Sequence, residues 1–257
     1  MNRRAFLAST STVASLSGCL SQDTPEPTPI GEPMVYEETL ATVRNVEAQR
    51  SWVTQPQQVG EQPVINYPEE EQFLFVELEI ENGSPDTLSF VVSHGGSEYP
   101  LEQYDAEQFS QSIGGILLGT RLPLNLDDEE ATQIDWLVGG ERVSSVVVDS
   151  QTQSRLYNPV TVTDVSVDGP SSVQRGESYE VEVTAESVAG AGGVFRAVIS
   201  STTQPTPRLQ RVEFENGVAE FRQRFSTALV SENSSSVTVT VDWGGGEEQL
   251  DISLLDE

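Results

Sequence analysis

The sequence predicts an all-β protein: two tandem β-sandwiches behind an N-terminal export segment and a proline-rich tether. Three observations carry that reading. Runs such as Phe73-Leu74-Phe75-Val76-Glu77-Leu78-Glu79-Ile80-Glu81 alternate with a period of two, the strand repeat. Comparable runs return about every ten to fifteen residues, divided by Gly, Pro, Asn, Asp and Ser. The 257 residues allow one or two domains, and 36% hydrophobic content suits two small β cores better than one large core.

Residues 1–18 stand outside the fold. Arg3-Arg4-Ala5-Phe6-Leu7 opens the chain, a weakly apolar stretch runs from Ala8 to Leu16, and Leu16-Ser17-Gly18-Cys19 closes it. That spacing reads as n-region, h-region and cleavage site. Residues 19–33 form the tether. Pro25, Pro27, Pro29 and Pro33 fix φ and remove backbone donors. From Ser21 to Pro33 the chain should be extended, spanning roughly 40 Å at about 3.1 Å per residue.

The first domain is expected over 34–149. Thr42 to Val46 is its first strand. Phe73 to Glu81 is the clearest one, with Leu74, Val76, Leu78 and Ile80 on one face and Glu77, Glu79 and Glu81 on the other. Asn82-Gly83-Ser84-Pro85-Asp86 turns the chain, and Leu88 to Val92 returns it. Asp105-Ala106-Glu107-Gln108 has the form of a capping box opening a short helix. Ile134 to Val138 and Arg142 to Val148 close the domain.

The second domain is expected over 157–257. Val160 to Val167, Tyr179 to Thr184, Val194 to Ile199, Val212 to Phe214, Ala219 to Phe225 and Val237 to Trp243 are its strands. Gly190-Ala191-Gly192-Gly193 is a turn. Trp243 belongs in the sandwich rather than at a ligand.

Charge narrows the partners. There are 41 Asp or Glu against 13 basic residues, all of them arginine, for a net charge of −28. Nucleic acid is excluded as a partner, because phosphate binding needs a basic patch. Lysine is absent. In molar salt, charge repulsion is screened within about 3 Å, and carboxylates hold water where a lysine stem exposes hydrocarbon. The composition therefore fits a protein working in concentrated brine. No run of about 18 apolar residues exists, so no membrane-spanning helix is expected.

The chain offers little chemistry. His94, beside Gly95 and Gly96, is the single histidine and reads as a surface loop tip. A catalytic triad or a transition-metal cluster would need it. No Gly-x-Ser-x-Gly, P-loop or dinucleotide motif is present. Asp127-Asp128-Glu129-Glu130 could offer oxygens to a hard cation but lacks alternating ligand spacing, so it reads as a solvated acidic loop, as does Glu69-Glu70-Glu71. No metal, cofactor or catalytic residue is assigned. Asn233 and Asn82 head glycosylation sequons, with Pro85 weakening the second.

Arg3-Arg4 followed by Phe6-Leu7 resembles the twin-arginine export signal, although Asn2 and Ala8 stand where that family often carries Ser and Lys. Leu16-Ser17-Gly18-Cys19 resembles the lipobox of bacterial and archaeal lipoproteins. The resemblance implies that Cys19, the only cysteine, is lipidated and becomes the first mature residue. Loss of residues 1–18 removes Arg3 and Arg4 and no acid, taking the charge from −28 to −30. No polybasic patch follows Cys19, so a two-chain lipid must suffice for anchoring. Export signal, lipobox and lysine-free acidity together resemble the exported lipoproteins of halophilic archaea. The charged strand, turn and returning strand of 36–149 resemble immunoglobulin-like lipoprotein domains of unknown function. Gly193 to Ala197 with Val239 to Trp243 resembles adhesion-type domains of archaeal surface proteins. The resemblances imply two immunoglobulin-like β-sandwiches on the outer face of the cytoplasmic membrane, binding or scaffolding an envelope protein or glycan without catalysis. The alternatives are an accessory subunit of a membrane transport or redox complex and, last, a carboxylate-dependent glycan hydrolase.

Overall fold

The computed structural model describes residues 26–54, 62–83, 88–104, 114–127, 130–188 and 192–255. The export segment, Cys19, the capping box at 105–108, Asp128, Glu129, Gly190 and Ala191 lie outside the described residues.

The first half contains β1 (Pro33–Tyr36), β2 (Thr39–Gln49), β3 (Trp52–Thr54), β4 (Val64–Asn66), β5 (Glu71–Glu81) and β6 (Ser89–His94). It continues with β7 (Ser97–Pro100), β8 (Glu102–Gln103), β9 (Ile116–Pro123), β10 (Gln133–Val138) and β11 (Glu141–Val147). One sheet has the order β1-β2-β5-β9-β8 and the other β11-β10-β6-β7. With β1 set aside, this is the A-B-E-D sheet facing G-F-C-C′ of an immunoglobulin-like sandwich. Leu74, Val76 and Leu78 of β5 meet Phe90, Val92, Ile134, Trp136 and Val146 between the sheets.

The other face of β5 differs from the expectation of a plain charged face. Glu77 and Glu79 are half-exposed and Glu81 exposed, but Phe73 and Phe75 are fully buried. They stack on each other at 5.8 Å and pack with Trp52 and Tyr104, which are brought over them by β3 and the end of β8. From Phe73 to Val76 the strand is apolar at both parities, and a strand apolar at both parities is covered on both faces.

The tether is also shorter than 19–33. Thr28 forms a parallel bridge with Val146, its N–H donating to Ser145 O at 2.7 Å, and Gly31 N–H donates to Val43 O at 2.8 Å. The chain has joined the sandwich before β1 begins.

The second half contains β12 (Thr161–Asp168), β13 (Ser172–Gln174), β14 (Ser178–Val188), β15 (Val194–Ser201), β16 (Gln204–Glu213), β17 (Val218–Ser226), β18 (Ser236–Asp242) and β19 (Glu247–Leu255). Its sheets are β12-β14-β17 and β13-β19-β18-β15-β16. The first strand is split: β12 pairs with β14, while β13 crosses to run parallel to β19. This too is an immunoglobulin-like strand order. Val181, Val183 and Ala185 of β14 face Phe195, Ala197 and Ile199 of β15 and Val237, Val239 and Val241 of β18. Trp243 packs at the edge of this core.

Between the halves lies α1 (Ser150–Tyr157), which the sequence reading left unassigned. It is polar and short, without a helical apolar repeat. Its start is fixed by Asp149, whose Oδ1 accepts from the backbone N–H groups of Gln151 and Thr152 at 2.9 and 3.0 Å. Its buried face seats Thr152, whose hydroxyl donates to Val46 O at 3.3 Å, and Leu156, whose carbonyl accepts from Gln72 Nε2 at 2.8 Å. The helix is thereby held to β2 and β5. No helix among the described residues is long and apolar enough to cross a membrane.

Candidate functional site

β15 reads Val194-Phe195-Arg196-Ala197-Val198-Ile199. Phe195, Ala197 and Ile199 face their own core, so Arg196 and Val198 face outward. Yet both are buried, Arg196 at 2% exposure. The cover is the first sandwich. The end of β2 and the residue after it bring Glu47, Gln49 and Arg50, all buried, and the Tyr67 hydroxyl, just after β4, accepts from Val162 N–H of the second half at 3.4 Å. Gly244 closes the contact from the second half. A Cβ there would lie 2.4 Å from Ile65 O, and its φ of +77° is left-handed, so only glycine fits.

The junction is electrostatically unusual for so acidic a chain. Burial pushes the Arg196 guanidinium down to about 10. Glu47 acts against that shift, and the like charge of Arg211 adds to it. The cation persists at neutral pH, with Glu47 as its counter-charge. Arg50 donates from Nη1 to Glu71 O and from Nη2 to Pro68 O at 3.1 Å, and its guanidinium lies 4.6 Å from the Tyr67 ring centroid. Arg50, Arg155 and Arg196 line one cavity with Gln49, Ser51 and Trp243. Its volume is about 20 Å³, room for one or two waters and far below a metabolite pocket. Beside it a polar groove of about 360 Å³ runs between Glu47, α1 and Glu213.

A second cluster lies on the outer face of β10. Asp135 is fully buried there; Ser93 Oγ donates to its Oδ2, and Arg142 Nη2 lies 2.9 Å from the same oxygen. Burial raises the Asp135 carboxyl above its ordinary value, Ser93 and Arg142 pull it back, and Glu98 adds to the rise. A carboxyl raised by folding contributes stability below its ordinary pKa and loses it as pH climbs through the raised value. Asp135→Asn should therefore gain stability relative to wild type as pH rises from the acid range to neutral. Paired thermal melts in constant molar salt measure the difference. A difference that stays flat with pH refutes the account.

His94 corrects the sequence reading. It is not a loop-tip surface residue. It ends β6 at 5% exposure, with Nδ1 3.2 Å from Thr132 Oγ1 and its ring 6.0 Å from that of Tyr157. The glycines after it carry the turn while the histidine keeps the core-facing parity of Phe90 and Val92. Asn233 sits in an exposed turn, and Asn82 is exposed at φ +58°. Glu69 and Glu70 are exposed. Among the described residues no three His, Cys, Asp or Glu side chains gather as a metal site would require. Arg3, Arg4, Phe6, Leu7 and Cys19 lie outside the described residues.

The arginine cavity was missed from sequence. One signal was present: a lone Arg196 inside a strand apolar at both parities must be buried and compensated. Nothing local links it to Glu47 or Arg50.

The two strand orders define a protein of tandem immunoglobulin-like sandwiches with a packed, charged junction. No family model and no curated protein matches the chain. Among solved structures, the titin Ig tandem domains A164-A165 align over 73% of this chain and 89% of their own length, at 7% identity and a TM-score of 0.21. A likeness this small carries no argument; the immunoglobulin-like class rests on the strand orders above.

Proposed function

We propose that the protein is a lipid-anchored, outward-facing binding or scaffolding module of the cell envelope, exported by the twin-arginine route and attached through Cys19. The observation that carries this reading is the docking of the tether. Thr28 runs parallel to β11, and β11 runs toward α1 and the second sandwich. The residues just before Thr28 therefore come from the end of the first sandwich opposite the junction. A tether that enters there supports a reading in which the second sandwich projects away from the membrane. The roughly nine residues between Cys19 and Thr28 reach about 28 Å when extended, a short stalk. Immunoglobulin-like sandwiches host many functions, so the binding role rests on this geometry and the lipobox together.

Cys19→Ser tests the anchor. The residue precedes both cores by the proline segment, so the variant should keep the wild-type circular dichroism spectrum while moving from the detergent phase to the aqueous phase. It should keep residues 1–18, since the resemblance implies that cleavage follows lipidation. Full membrane retention after high-salt washing would establish a second anchor, and a misfolded variant would make Cys19 structural; either result overturns the proposal.

A further inference from the structure

Two sequons stand in the chain, Asn82-Gly83-Ser84 and Asn233-Ser234-Ser235. We propose that Asn233 is the acceptor of an N-linked oligosaccharide and that Asn82 carries none. The inference rests on the export reading, because sequons are used on secreted chains. Transfer onto a folded surface needs two groups free at once: the asparagine carboxamide that takes the sugar, and the hydroxyl two residues later that completes the sequon. At 233–235 both are free. Asn233 and Ser235 are exposed, and neither side chain makes a hydrogen bond to a described residue. The turn that carries them is well held. Ser234 N–H donates to Ser231 O at 3.0 Å, and Arg175 donates from Nη1 to the same oxygen at 3.1 Å and from Nη2 to Ser234 O. These bonds fix the backbone while Glu232, Asn233 and Ser235 stay exposed.

Position is the second argument. β18 runs from Ser236 to Asp242, and Gly244 just beyond it meets Ile65 of the first sandwich. Its seven residues put Asn233 roughly 20 Å from the junction, at the end of the second sandwich away from the first. A bulky sugar has room there. Asn82 is exposed too, but its backbone is committed. It sits at φ +58°, its carbonyl accepts from Thr39 Oγ1 at 3.4 Å, and a Cβ at Gly83 would lie 2.7 Å from Thr39. That sequon is pressed against the start of β2, and Pro85 follows it. The chemistry is a substitution at an anomeric carbon. Asn233 Nδ2 bonds to C1 of an oligosaccharide carried on a lipid phosphate. The C1–O bond to the phosphate breaks, its electron pair leaves with the lipid phosphate, and Nδ2 gives up one proton to a base of the transferase.

Trypsin separates the two sequons. With lysine absent it cuts after arginine alone, so Asn82 falls in 51–121 and Asn233 in 225–257. Mass spectrometry of the protein taken from the membranes of the cells that make it should find 225–257 heavier by whole sugar residues and 51–121 at its bare mass. Asn233→Gln and Ser235→Ala should each remove the added mass, and Ser235→Thr, which keeps the hydroxyl, should retain it. Protease treatment of intact cells reports export independently. A bare 225–257 on surface-exposed protein overturns this proposal and leaves the export reading standing, whereas bare protein retained inside the cell overturns both. Sugar on 51–121, or sugar on 225–257 that survives Ser235→Ala, overturns the proposal as well.

Discussion

Arg196→Leu is expected to cost the folded protein about 3–5 kcal/mol, the range for removing one partner of a buried ion pair. The leucine fills much of the space, so the loss is electrostatic. Glu47 stays buried at 7% exposure without the cation that burial and strand geometry place opposite it. The second sandwich keeps its own core, because Phe195, Ala197 and Ile199 on the other face of β15 are untouched. The junction should therefore yield first. Chemical denaturation in molar salt should lose its single transition and show two. Adding Glu47→Gln to the leucine variant should recover most of the loss, since the stranded charge is then gone. A double variant as unstable as the single one would mean that packing, not charge, joins the halves.

Transfer from molar salt to about 0.1 M should unfold the protein. At molar ionic strength the Debye length is about 3 Å, and at 0.1 M it is about 10 Å, long enough for neighbouring surface carboxylates to repel. The net charge of −28, or −30 after loss of residues 1–18, has little to offset it. Arg44–Glu79, Arg121–Glu71 and Arg222–Glu182 are exposed pairs, which contribute little. Circular dichroism should show β structure in molar sodium chloride that is lost on dialysis. Sodium gluconate and sodium chloride at equal ionic strength should restore it equally, because screening depends on ionic strength. A sharp near-UV spectrum retained at low salt would remove the brine reading.

Much of the architecture was legible because a strand announces itself one residue at a time. Leu74, Val76 and Leu78, and Val181, Val183 and Ala185, mark a core face by period alone. The turn residues between such runs marked two sandwiches but not their full strand count, since β9 and β19 were not placed. Elements without a periodic signal were not legible: α1, set by the Asp149 cap and its seat on β2, and most of β16, whose Pro, Gln and Arg residues become a strand only by pairing with β15.

The sequence by itself determined the class of fold and the acidic, lysine-free composition, both of which depend on residue type and local order. The tertiary structure decided what pairs across distance. It buried His94, which the adjacent glycines had made look like a loop tip. It covered Phe73 and Phe75 with the β3–β4 hairpin and Tyr104. It brought Arg196 of the second sandwich to Glu47 and Arg50 of the first, residues about 150 apart in the chain. Burial and charge are properties of a neighbourhood, and only folding sets which residues share one.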